Sequence, residues 1–107
     1  MPRFVLTYHE GHTPQEPTKE TMDSWVSWFG GLGDAVVDMG SPFRASTTIA
    51  SDGNISVGAR PHPASGCTVI KAAGMDEAAA LASGCPGLTS GCPVRLYEQR
   101  SLADGLP

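Results

Sequence analysis

Apolar and polar positions alternate along the first segment of the chain, with Phe4, Leu6 and Tyr8 on one side and Arg3, Val5, Thr7 and His9 on the other. A period of two is that of a strand with one face against a core, so Arg3 to Tyr8 is predicted to be a strand. From Met22 the period changes: Met22, Trp25, Val26, Phe29 and Leu32 recur at steps of three and four. That spacing predicts a helix from about Lys19 with one apolar stripe, Trp28 lying off it and Gly33 stopping it in a left-handed conformation. The intervening Glu10 to Pro17 holds Gly11, Pro14 and Pro17 and reads as a loop, with Thr18 as the helix N-cap.

Asp34 to Met39 reads as a second strand that Gly40-Ser41-Pro42 ends or bends, because proline cannot donate to a sheet ladder. Alternation from Ala45 to Ala59 around Ser51-Asp52-Gly53-Asn54 predicts a β-hairpin, since Asp-Gly accommodates the positive φ of a tight turn. Arg60 to Gly66, with two prolines, reads as a loop, and Cys67 to Ala72 as a strand whose β-branched centre is buried. Met75 to Ser83 is predicted helical, with Ala78, Leu81 and Ala82 on one face, Asp76 and Glu77 in the first turn, and Gly84 as its cap. Val94 to Glu98 is the last strand, and the tail from Arg100 to Pro107 is expected to be loosely held.

In order, this is β-α-β, a hairpin, then β-α-β: an α+β fold with a ferredoxin-like βαββαβ antiparallel sheet and an inserted β-hairpin. Residues 1–99 form one domain and 100–107 the tail. Two helices cover only one face of a four-stranded sheet, so the other is expected to be buried by a second copy, giving a homodimer.

A chain of 107 residues has room for a single core. Seven Lys and Arg against eleven Asp and Glu give a net charge of −4 with no basic cluster, which argues against nucleic acid as a partner. No apolar run is long enough for a signal peptide or a bilayer span, so no membrane association and a cytoplasmic location are expected. Cys67, Cys85 and Cys92 are an odd set without Cys-x-x-Cys spacing, which predicts reduced thiols rather than a disulfide framework or a zinc site.

Tyr8-His9-Glu10-Gly11, the run from Trp28 to Asp38, Gly40-Ser41-Pro42-Phe43, the run from Asp76 to Ala82, and Gly84-Cys85-Pro86 together resemble the YCII-related (DGPF-domain) family. The resemblance covers nearly the whole chain before the tail. It implies the dimeric α+β barrel superfamily, in which two ferredoxin-like sheets pack around a central interior. Relatives there include small monooxygenases, lactone isomerases and dehydrochlorinases beside proteins that only bind ligands, so fold alone selects no activity. The founding branch carries a histidine in its first helix and an aspartate before a proline after its second. Here those positions fall at Met22 or Asp23 and at Cys85, which removes that acid–base pair.

The remaining candidates are read from the strands. His9, at the end of the first strand, is a proton shuttle for neutral pH or a rim histidine bonded to a carbonyl, and Asp38 is its orienting partner or a surface carboxylate. These two are the candidate catalytic residues. Lys71, Arg95 and Tyr97, at alternate positions of the late strands, are candidates to line a pocket for an anionic or phenolic ligand, or else dimer contacts or a solvated edge, and Ser41 is a further candidate ligand-binding residue. Trp28, off the stripe, is assigned to ligand stacking or to an interface anchor. Cys85 reads as a buried structural thiol. His9-x-x-His12 with His62 lacks acidic or thiol partners at ligand spacing, so no metal is expected, and no cofactor. Gly30-Gly31-Leu32-Gly33 ends a helix, where phosphate binding requires a helix start. The resulting expectation is a small enzyme acting on an organic substrate by acid–base chemistry in the dimer barrel; the alternative is a non-catalytic small-molecule-binding or structural dimer.

Overall fold

The computed structural model of the chain describes residues 1–9, 19–58 and 63–100. The loop assigned to Glu10–Pro17, the N-cap at Thr18, residues 59–62 with His62, and the tail beyond Arg100 lie outside the described residues.

The elements follow in the predicted order. They are β1 (Arg3–His9), α1 (Lys19–Leu32), a 3-10 turn (Gly33–Ala35), β2 (Val36–Pro42), β3 (Thr47–Ile49), β4 (Ile55–Val57), β5 (Ala64–Lys71), α2 (Met75–Ala82), a 3-10 helix (Pro86–Ser90) and β6 (Val94–Glu98). Four strands form one sheet in the order β2-β5-β1-β6, and every neighbouring pair is antiparallel. With two helices this is an α+β fold compatible with a ferredoxin-like arrangement. β3 and β4 pair with each other, Thr47 with Val57 and Ile49 with Ile55, around a turn in which Gly53 takes φ +92°.

The core lies between the sheet and the helices. Phe4, Leu6 and Ile70 are fully buried with Ala72 and Ala78, and Ala82 of α2 is nearly so. Each of the three large side chains contributes roughly 1.5–3 kcal/mol by leaving water. Alternation then fixes the far face: Thr7 stands beside Cys67 and Arg95, Val5 beside Val69 and Tyr97, and Arg3 beside Lys71. Arg3, Lys71, Arg95 and Tyr97 are exposed there, as expected for a sheet face that neither helix covers.

Several local expectations change. Of the two readings of Gly40-Ser41-Pro42, it bends β2 and does not end it: the strand runs on to Pro42 through a bulge. Gly40 makes the bulge possible, with φ +73°, and a Cβ on it would lie 1.8 Å from the Cys67 carbonyl oxygen. Gly33, at φ +54°, stops α1 as the periodicity indicates. Gly84 is not the cap of α2: Ser83 holds that position in helical conformation. Gly84 packs beside the Trp28 indole, where a Cβ would stand in van der Waals contact at 3.4 Å. The 3-10 helix after Cys85 had no periodic signal, being a single turn.

The stripe of α1 is also turned from its expected setting. Met22 is 58 % and Val26 70 % exposed, whereas Trp28 packs against the core cluster and donates its indole N–H to the Leu81 carbonyl at 3.2 Å. Packing against α2 and the 3-10 helix rotates Trp28 inward and leaves part of the stripe over the β2–β5 side of the sheet.

Candidate functional site

The expected catalytic pair does not meet within one chain. Asp38 is in register with Val69 of β5, and Val69 with Val5 of β1. His9 therefore lies two strands away, about 10 Å across the sheet, and four residues further along, about 13 Å. Their surroundings differ as well. His9 is 6 % exposed, its ring Nε2 lies 2.8 Å from Thr7 Oγ1, and its backbone N–H donates to the Pro93 carbonyl at 2.9 Å. Asp38 is exposed, and its Oδ1 accepts the Gly40 backbone N–H at 2.8 Å. That bond braces the bulge of β2.

Lys71, Arg95 and Tyr97 share the uncovered face with Arg3, Val5 and Thr7 but are distributed along two different strands. Trp28 is on the opposite, helix-covered side. Among the described residues no group of three His, Cys, Asp or Glu side chains comes together to hold a metal ion. His12 and His62 lie outside the described residues.

A cleft lies elsewhere, between α1 and the β2–β5 part of the sheet, with a volume of about 520 Å³. Its helix wall is Met22, Trp25, Val26 and Phe29, and its sheet wall includes Tyr8, Met39, Thr68 and the small residues Gly40, Ser41, Ser65 and Gly66. The space exists because large side chains of the helix face sheet positions with little or no side chain. Gly66 packs tightly, since a Cβ would press on the Ser41 carbonyl oxygen at 3.0 Å and on the Pro42 Cα at 3.3 Å. Of the residues expected to bind a ligand, only Ser41 lines this cleft.

The aromatic groups are held by mutual packing. Trp25 meets Tyr8 edge-on at 5.0 Å between ring centroids and Trp28 edge-on at 5.7 Å, and it lies 5.9 Å from Phe29. Edge-to-face contacts of this kind stabilise beyond burial alone. Below them the Tyr8 hydroxyl donates to Thr68 Oγ1 at 2.6 Å, and Thr68 donates to the Met39 carbonyl at 2.9 Å. Burial pushes the Tyr8 phenol up to about 12, against the opposing pull of the Thr68 hydrogen bond, so it stays neutral at physiological pH.

Among the described residues no charged side chain lines the cleft. Among the described residues no buried side-chain nitrogen or oxygen lacks a hydrogen-bond partner. What the cleft offers is apolar contact, aromatic edges and faces, and adaptable methionine side chains. A volume in this range is that of ordinary small-molecule sites.

The separate ingredients were visible in the sequence: an apolar helix face and two Gly/Ser pairs, Gly40-Ser41 and Ser65-Gly66. Their juxtaposition depends on β2 pairing with β5, which periodicity does not specify. No family model matches the sequence, and neither a curated protein nor a solved structure matches the chain.

Proposed function

We propose that the protein is a non-catalytic binder of a small, uncharged, predominantly apolar molecule, held in the cleft under α1. The observation that carries this reading is a cleft of about 520 Å³ with aromatic and methionine walls and, among the described residues, no charged side chain. Burying an ion in such a site carries a desolvation cost that nothing in the lining repays, whereas apolar surface is taken up favourably. Acid–base catalysis lacks support within one chain, because strand β5 lies between His9 on β1 and Asp38 on β2.

The resemblance to the YCII-related family fits the same reading. Met22, one of the two positions where that family's helix histidine falls, is part of the cleft wall. A thioether there adds apolar surface and transfers no proton. We further take the uncovered sheet face to be the contact of a homodimer, the dimeric α+β barrel, because Val5, Val69 and Tyr97 form an apolar row across its three central and edge strands.

The test is a fluorescence titration. Trp25 and Trp28 are the two tryptophans of the chain, so Trp28→Phe leaves Trp25 as a reporter in the cleft wall. Neutral phenylnaphthylamine is expected to quench Trp25 saturably, with anilinonaphthalene sulfonate, its anionic counterpart, binding at least tenfold more weakly. Absence of saturable binding by either dye would remove the reading.

A further inference from the structure

The 3-10 helix Pro86–Ser90 and its flanks fold the chain back on itself. Leu88 N–H donates to the Cys85 carbonyl at 3.2 Å, and Cys92 N–H donates to the Gly87 carbonyl at 3.0 Å, so the two ends of Cys85–Cys92 are tied to the adjacent residues Leu88 and Gly87. At Gly87 the absent side chain marks the meeting point: a Cβ there would lie 3.6 Å from Cys85 Sγ and 3.8 Å from Cys92 Cβ. The two cysteines thus flank one small empty position. Both are free thiols, Cys85 buried at 2 % exposure and Cys92 half-buried.

From this geometry we infer that Cys85 and Cys92 form a reversible dithiol that a peroxide closes to a disulfide across the Gly87 turn. Cys92 is the more accessible and reacts first. Its thiolate attacks one peroxide oxygen; the S–O bond forms, the O–O bond breaks, and the departing hydroxide takes up the proton that Cys92 released and leaves as water. The Cys85 sulfur then attacks the Cys92 sulfur, forming the S–S bond and breaking S–O, and the Cys85 proton leaves with hydroxide as a second water. Two thiols lose two electrons and the peroxide gains them. Burial pushes the Cys85 thiol up, which fits its place as the second sulfur to react. Cys67, on β5, takes no part.

The consequence reaches the cleft, because the Trp25 ring also packs on Gly87, at 3.5 Å from its Cβ position. Closing the turn changes the surroundings of a cleft-wall residue, so its fluorescence reports the oxidation.

The test uses the full chain treated with hydrogen peroxide, alkylated without reduction and digested with trypsin. No Lys or Arg lies between Lys71 and Arg95, so the peptide 72–95 carries both cysteines and Cys67 falls in another. That peptide is expected lighter by two hydrogens and unalkylated, with Cys67 alkylated, and dithiothreitol is expected to restore both thiols. Cys67→Ser keeps the closure, and Cys92→Ser, checked for native circular dichroism, abolishes it. Both cysteines of 72–95 still alkylated after treatment, a cross-link through Cys67, or Cys92 carried to sulfinic acid with Cys85 free would each overturn the inference.

Discussion

The Tyr8 hydroxyl donates to Thr68 Oγ1 at 2.6 Å, joining neighbouring strands beneath the cleft. Thr68 passes the bond on to the Met39 carbonyl, so β1, β5 and β2 are linked by one short chain of hydrogen bonds. The phenol that begins it sits among aromatic rings and is held neutral, which ties the stability of the sheet to the protonation of one group.

That linkage has a definite sign. The folded state holds the Tyr8 proton to about pH 12, above the ordinary tyrosine value of 10.0, so between these values the folded chain binds more protons than the unfolded one. The stabilisation is complete below pH 10 and is lost as pH rises through the folded value, by roughly 2–3 kcal/mol. Urea denaturation at pH 8 to 11.5 is expected to show a steeper loss for wild type than for Tyr8→Phe. At neutral pH Tyr8→Phe itself costs about 1 kcal/mol, the ordinary net value of one hydrogen bond.

Gly40→Ala is expected to be the most damaging single methyl in the described sheet. The added Cβ would lie 1.8 Å from the Cys67 carbonyl oxygen and would require a left-handed backbone at φ +73°. The bulge must open, at a cost of about 3 kcal/mol or more. The denaturant midpoint measures this directly, and Ala at exposed Gly30, whose Cβ position has open space, serves as the control.

Met22→Glu separates binding from folding. Met22 is 58 % exposed, so the charge keeps contact with water and stability should change by less than about 0.5 kcal/mol. In the cleft the carboxylate opposes an apolar guest, and phenylnaphthylamine affinity is expected to fall at least tenfold in the fluorescence titration.

Trp28→Phe tests the inward setting of that residue. Loss of the indole N–H leaves the Leu81 carbonyl without this donor, and about 1 kcal/mol of stability should go with it while dye binding at Trp25 persists. A residue at a ligand-stacking position would give the opposite result, with binding lost and the melting temperature unchanged.

Val5→Lys addresses the uncovered face. Val5 lies between Val69 and Tyr97 in register, and a lysine there places a charge at the centre of the proposed dimer contact. Sedimentation velocity is expected to show a dimer for wild type and a monomer of native circular dichroism for the variant.

Local periodicity was sufficient for the order of the six strands and two α-helices among the described residues, though not for the 3-10 helices or for where β2 and β5 begin and end. The two-residue alternation of β1 and the three- and four-residue steps of α1 appear where expected, Gly33 ends the helix, and Val94–Glu98 is a strand to the residue. These features arise from backbone preference and from which face must leave water, and both are written in neighbouring residues. The candidate site was not legible in the same way. His9 and Asp38 have the right chemistry, yet their separation is set by strand order and by the bulge at Gly40, which are relations between segments far apart in the chain. Trp28 turned inward for a similar reason, because its neighbours are Leu81 and Gly84, more than fifty residues downstream. Sequence by itself determined the order of strands and helices and the class of the fold. Only tertiary structure decided that Met22, Trp25 and Phe29 stand over Gly40 and Gly66, since a cleft is the space left when large and small side chains from separate elements face each other.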